Sequence, residues 1–121
     1  MEHALDNNRH RITDAEARER DKLRIEDYDD LRRAAEVHRQ TRKHAQRFIK
    51  PGMKLMDICN EIENTNRKLI EANGLEAGIA FPTGCSINHC AAHYTPNLGD
   101  ETVLLKDDIM KIDYGSHIGG L

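Results

Sequence analysis

Residues 88–97 read NHCAAHYTPN and residues 111–115 read KIDYG. In the first stretch His93 follows Ala91 and Ala92, whose small side chains leave room for a ligand to approach the imidazole, and it precedes a turn containing Pro96 that would fix its backbone. In the second, Asp113 stands inside an apolar run of strand character. Alternation along a strand puts it on one face with Ile109 and Lys111, whereas Met110, Ile112 and Tyr114 point the other way into packing. A carboxylate in such a run must be paired or bind a cation. Asp113 therefore reads either as an ion-paired or loop-facing aspartate or as a metal ligand, and the pattern leaves both open. His93 likewise reads as a satisfied structural histidine or as a group that contacts substrate. Cys85, Cys90 and His93 lack the spacing of a zinc knuckle, and no fourth ligand stands near them. H-E-x-x-H, P-loop, G-x-G-x-x-G and G-x-S-x-G patterns are all missing, so nucleotide-binding and serine-hydrolase readings have no support.

Two helical segments precede these stretches. Residues 13–50 read as helix, opened by a Thr13/Glu16 capping box and carrying Leu31, Ala34, Ala35, His38, Ala45, Phe48 and Ile49 at near-helical spacing. Residues 1–25 carry little apolar stripe, so the stable part is expected to begin near Tyr28, with the leading segment frayed or extended along the surface. Pro51 and Gly52 stop this helix. A second helix is expected over residues 55–73, with Leu55, Ile58, Cys59, Ile62, Leu69 and Ile70 on one stripe and Gly74 just past its end. Beyond it the period shortens to strand-like runs, GIAFPTG, SINHCAAHY, TVLL and DIMKIDYG, parted by turn residues. Two helices followed by antiparallel strands give an α+β class. GSHIGGL reads as the turn of a hairpin whose return strand is missing, which would leave residues 108–114 without a partner on that side.

The chain of 121 residues is 38% hydrophobic, 4% aromatic and 32% charged, a thin supply of core for a domain of this size. Net charge is −3, with 13 Lys/Arg against 11 Asp/Glu in residues 1–50 and 5 against 10 in residues 51–121. Because the signs are interleaved in the front half, they read as a solvated helix face and not as a nucleic-acid patch. An odd count of three cysteines and the lack of a long apolar run point to a reduced, cytosolic protein with no membrane span.

Three stretches, AEVHRQTRKHAQRFIKPGM, AFPTGCSINHCAAHYTPNLGD and DDIMKIDYGSHIGG, together resemble the start of the catalytic domain of type 2, eukaryotic-type methionine aminopeptidases. DNNRHRITDAEARERDKL is similar to the segment just ahead of that domain in fungal members. The resemblance runs from about Asn7 to Leu121, and CAAHYTPN and KIDYG are specific to this group within the wider fold. It implies the first half of a pita-bread (creatinase/aminopeptidase) metallopeptidase fold. The implied organisation is a partly disordered N-terminal extension over residues 1–27 and an incomplete catalytic domain over 28–121.

The same resemblance implies a cytoplasmic, metal-dependent hydrolase that removes the initiator methionine from nascent proteins. Its cofactors are two divalent ions, Co, Mn, Fe or Zn, which polarise the scissile carbonyl and supply a hydroxide at neutral pH. Nascent polypeptide N-termini are the implied partners, with the ribosome as a further one; neither a membrane nor nucleic acid is expected to be bound directly. By resemblance Asp113 is the first metal-binding aspartate, His93 contacts the substrate near the scissile bond and stabilises the transition state, and Phe81 is an apolar wall of the methionine pocket. The family's remaining ligands, a second aspartate, a histidine and two glutamates, would lie beyond Leu121. One matched ligand cannot hold a dinuclear site, so the chain alone is expected to be inactive. A non-catalytic binding module of the same fold, ribosome-associated, is the alternative reading; half of an enzyme completed by another chain is a third.

Overall fold

The computed structural model describes residues 13–20, 22 and 25–121. The capping box forms as expected: the Thr13 amide donates to Glu16 Oε2 at 2.9 Å and the Glu16 amide donates to Thr13 Oγ1 at 3.3 Å. These two bonds start a short helix α1 (Asp14–Arg20), so this stretch is helical and not extended. The long helix α2 (Ile25–Phe48) begins three residues before Tyr28. Over residues 1–12, 21, 23 and 24 the disorder expected for the 1–27 extension lies outside the described residues.

α2 buries Ala34, Val37, Thr41 and Ala45, a stripe recurring every three or four residues, while Ala35 and Leu31 of the expected stripe are exposed. Val37 and Thr41 escape a reading by hydrophobic type because charged residues crowd around them. After the Pro51–Gly52 turn, α3 (Leu55–Ile70) buries Leu55, Ile58, Cys59, Ile62, Asn66 and Ile70. It ends three residues earlier than expected because Glu71, at φ 57° and ψ 56°, takes the left-handed terminating position usually held by glycine. Gly74, at φ 52°, instead serves the tight turn that lets the Asn73 amide reach the Ala77 carbonyl at 2.9 Å.

Four short strands follow: β1 (Ala77–Ile79), β2 (Gly84–Ile87), β3 (Met110–Asp113) and β4 (Ser116–Ile118). They form two antiparallel pairs, β1 with β4 and β2 with β3. The α+β expectation holds, but three local readings change. TVLL makes only an isolated bridge, Lys54 to Val103, in which the 102–104 backbone ties down the entry to α3. SINHCAAHY leaves the ladder at Asn88, whose φ of 52° turns the chain. In GSHIGGL the residues Ser116–Ile118 are themselves a strand, paired with β1, and the turn is Gly119–Gly120, both at positive φ.

The α2–α3 hairpin backs both sheets. Near its turn, Ala45, Leu55, Ile58, Cys59 and Ile62 pack with Cys85, Leu104 and Tyr114, and with Met110 and Ile112 of β3. At its far end, Ala34, Val37 and Ile70 pack with Ala77 of β1 and Ile118 of β4. Between these clusters the stripe of α3 carries a polar residue, Asn66, which is 1% exposed. Its Nδ2 donates to the Gly115 carbonyl at 2.9 Å and its Oδ1 accepts from Ser116 Oγ at 2.7 Å. The chain crosses from one sheet to the other at residues 114–115, and there Asn66 shares the Gly115 carbonyl with the Ala80 amide, which donates to it at 2.8 Å.

Candidate functional site

The strand alternation is as expected, with Met110, Ile112 and Tyr114 on the core cluster and Asp113 exposed at the end of β3. Directly across the ladder from Asp113 stands Gly84, so no cross-strand ion pair forms at that position. Lys111, on the same face, is turned to the Asn88 carbonyl at 2.8 Å. With hydrogen in place of a side chain at Gly84, the Asp113 carboxylate opens onto a cleft of about 240 Å³ lined by Phe81, Pro82, Gly84, His93, Thr95 and Asp113. The three residues singled out in the sequence thus meet in one cleft, each brought by a different segment.

Tyr114 anchors the end of β3. Its hydroxyl donates to the His38 carbonyl of α2 at 2.7 Å, and its ring stacks on the His38 imidazole with centroids 4.2 Å apart and planes 6° from parallel. Burial raises the Tyr114 phenol above its ordinary pKa, so it stays a donor.

His93 sits at φ 68°, a left-handed conformation that a β-carbon disfavours and that persists only where neighbours impose it. The imposition comes from Tyr94. Its carbonyl accepts from the Cys85 amide at 2.8 Å, its amide donates to Ser86 Oγ at 3.1 Å, and its hydroxyl donates to Asp100. Thr95 Oγ1 adds a bond to the Thr83 carbonyl at 3.2 Å. The backbone is therefore held against the edge of β2 by Tyr94 and Thr95 as well as by the buried Pro96. Asp100 is held below the usual carboxylate range by bonds from Thr102 and then Tyr94, and stays ionised as the acceptor that closes this loop.

Phe81 is 42% exposed, an apolar ring on the cleft wall. Gly115 backs it: a β-carbon there would lie 2.9 Å from Phe81 Cε1 and 2.8 Å from the Ala80 β-carbon. The Gly115 carbonyl accepts from the Ala80 amide at 2.8 Å as well as from Asn66. Glu63 on α3 accepts from the Thr83 amide at 3.0 Å, which fixes the segment carrying Phe81 and Pro82. Asn66, Glu63, Gly84, Gly115 and Tyr94 were not read as site residues from sequence. Asn66 had a usable signal, a polar residue at the i+4 position from Ile62 and i−4 from Ile70.

Cys85 and Cys59 are both buried, and Cys59 Sγ donates to the Thr83 carbonyl at 3.6 Å; the neighbouring Cys85 thiol and burial push the Cys59 thiol up, away from thiolate chemistry. Cys90 donates to the Ala92 carbonyl at 3.7 Å. Among the described residues no three His, Cys, Asp or Glu side chains gather as a metal cluster. Asp113 fits a hard divalent ion in kind, as one oxygen donor facing an open cleft.

The model of "Metallopeptidase family M24" matches residues 29–121. The chain is 60% identical over 110 residues to methionine aminopeptidase 2 of Schizosaccharomyces pombe, covering 91% of this chain and 26% of that protein. It is 58% identical over 115 residues to methionine aminopeptidase 2A of Arabidopsis thaliana, covering 95% and 26%. The chain thus spans about a quarter of the length of the curated relatives it matches. Among solved structures, a thermophilic Arx1 superposes with a TM-score of 0.66 at 21% identity, over 81% of this chain and 28% of that one. An X-Pro aminopeptidase from Thermotoga maritima does so with a TM-score of 0.61 at 21% identity, over 88% and 29%. These likenesses establish the fold, part of the pita-bread architecture expected from the sequence. With the family model covering 93 of 121 residues, and Phe81, His93 and Asp113 all inside the matched range, the chain belongs to metallopeptidase family M24.

Proposed function

We propose that this chain is part of a methionine aminopeptidase, which removes the initiator methionine from the N-termini of nascent polypeptides in the cytoplasm and so works close to the ribosome. The observation that carries this reading is the single cleft lined by Phe81, His93 and Asp113, whose three residue types suit the side-chain pocket, the reacting carbonyl and the metal. The relatives named methionine aminopeptidase 2 support the choice of substrate. No helix among the described residues is long and apolar enough to cross a membrane.

Each residue then has a chemical task. Asp113 is one carboxylate ligand of a divalent pair, Co, Mn, Fe or Zn, whose other ligands come from parts of the relatives' length that this chain does not match. When bound, such ions polarise a carbonyl and supply hydroxide at neutral pH. His93, held at a strained backbone angle, donates a hydrogen bond to the oxygen on which negative charge develops. Phe81 receives an unbranched apolar side chain and excludes water from it.

The test is to replace the matching residues of the S. pombe relative with this chain and assay a Met-Ala-Ser peptide with added Mn or Co. Release of free methionine, lost with a chelator and not seen with Lys-Ala-Ser, is expected. A folded hybrid that releases no methionine with either metal contradicts the reading and favours a non-catalytic module.

A further inference from the structure

Outside the cleft, α2 and α3 enclose an open groove of about 530 Å³ in which Lys43, His44 and Arg47 face Glu61, Asn64 and Lys68. His44 Nε2 lies 2.8 Å from Glu61 Oε1 across it, so the carboxylate in the groove is already engaged. Of the other cations on the same helices, Arg32 pairs with Asp29, Arg33 with Glu71, Arg39 with Glu36 and Arg67 with Glu63, while Arg42 lies outside this groove, in a cavity with Asp113 and Tyr114. Lys43, Arg47 and Lys68 form no ion pair among the described residues. Three such cations on one groove stand out against a chain of net charge −3.

We propose that this α2–α3 groove docks an acidic amphipathic helix of a partner protein. A groove between two packed helices accepts the side-chain ridge of a third. Lys43 and Arg47 are four residues apart on α2, about 6 Å along the axis, the repeat at which a partner helix presents carboxylates at i and i+4. Lys68 meets the partner from the opposite wall, and the Asn64 amide adds hydrogen-bonding capacity. RNA is a poorer occupant. Glu61 lies within the groove, the chain as a whole is acidic, and the nearby Phe48 ring is taken by stacking on His44 at 5.2 Å, which leaves bases no aromatic platform there.

The test uses the whole chain and a labelled 16-residue helical peptide with glutamates every fourth residue, read by fluorescence anisotropy. Saturable binding at about 50 mM salt is expected, weakening at least about tenfold by about 200 mM. A Gln-for-Glu peptide should bind at least about tenfold more weakly, as should Lys43→Glu/Arg47→Glu/Lys68→Glu, while Lys106→Glu, in an exposed turn that does not line the groove, should bind as the parent does. If the triple variant loses its circular-dichroism signal, Lys68→Ala alone should weaken binding about threefold. No saturable binding, indifference to any of the groove substitutions, equal affinity for the Gln peptide, or tighter binding of a 12-nucleotide single-stranded RNA overturns the proposal.

Discussion

Asn66 Nδ2 donates to the Gly115 carbonyl at 2.9 Å, so one buried amide on α3 holds the point at which the chain leaves the Asp113 strand for the second sheet. Asn66 also accepts from Ser116 Oγ at 2.7 Å, and leucine could make neither bond. Asn66→Leu should cost about 2–3 kcal/mol, the sum of two lost buried bonds and one stranded hydroxyl, measured by urea unfolding. A loss below about 0.5 kcal/mol would mean that the junction is held elsewhere.

Gly115→Ala tests the support behind Phe81. The added β-carbon would sit 2.8 Å from the Ala80 β-carbon and 2.9 Å from Phe81 Cε1, so the segment carrying Ala80 and the Phe81 ring must shift. A destabilisation of about 1–3 kcal/mol is expected, with changed ring resonances for Phe81. Unchanged ring shifts and stability would contradict the contact.

Thr41→Val should stabilise the protein. Thr41 is fully buried on the packed stripe of α2, and its hydroxyl has no hydrogen-bond partner among the described residues. Valine keeps the shape and removes an uncompensated polar group, a gain of about 1–2 kcal/mol and a rise of several degrees in Tm. A lower Tm would show that the hydroxyl is satisfied in solution.

The loop bearing His93 should be acid-sensitive. The folded pKa of Asp100 is depressed by Thr102 and Tyr94, so the ionised carboxylate is favoured in the native state. Its contribution is therefore fully present above the ordinary aspartate value of about 3.9 and is lost as pH falls through the lower folded value. The amide resonance of Thr102, which donates to Asp100 Oδ1 at 2.9 Å, should hold steady from neutral pH to about pH 4 and move below it. In Asp100→Asn that low-pH movement should vanish, and its persistence would assign the titration to another group.

Much of this architecture is legible in the sequence wherever apolar spacing is strong, as along Leu55, Ile58, Ile62 and Ile70. It fades where tertiary contacts decide. Glu71 ends α3 in a left-handed conformation, beside an ion pair to Arg33 at 2.9 Å that no local pattern announces. Ser116–Ile118 is too short and too polar to read as a strand, yet β1 supplies its ladder partner from nearly forty residues away. In the cleft, the types of Phe81, His93 and Asp113 invited attention, but the glycine opposite Asp113 follows from the register of β2 on β3, a long-range pairing.

The most direct measurement is metal content and turnover together for Asp113→Ala and His93→Ala in the S. pombe relative carrying this chain in place of its matching residues. Asp113→Ala should lose bound metal and with it metal-dependent turnover, because the ion pair is left with too few carboxylates. His93→Ala should keep its metal and lower kcat and kcat/KM together by about 10²–10³-fold. Metal and full rate retained without the Asp113 carboxylate, or metal lost without the His93 imidazole, would contradict the roles assigned to them.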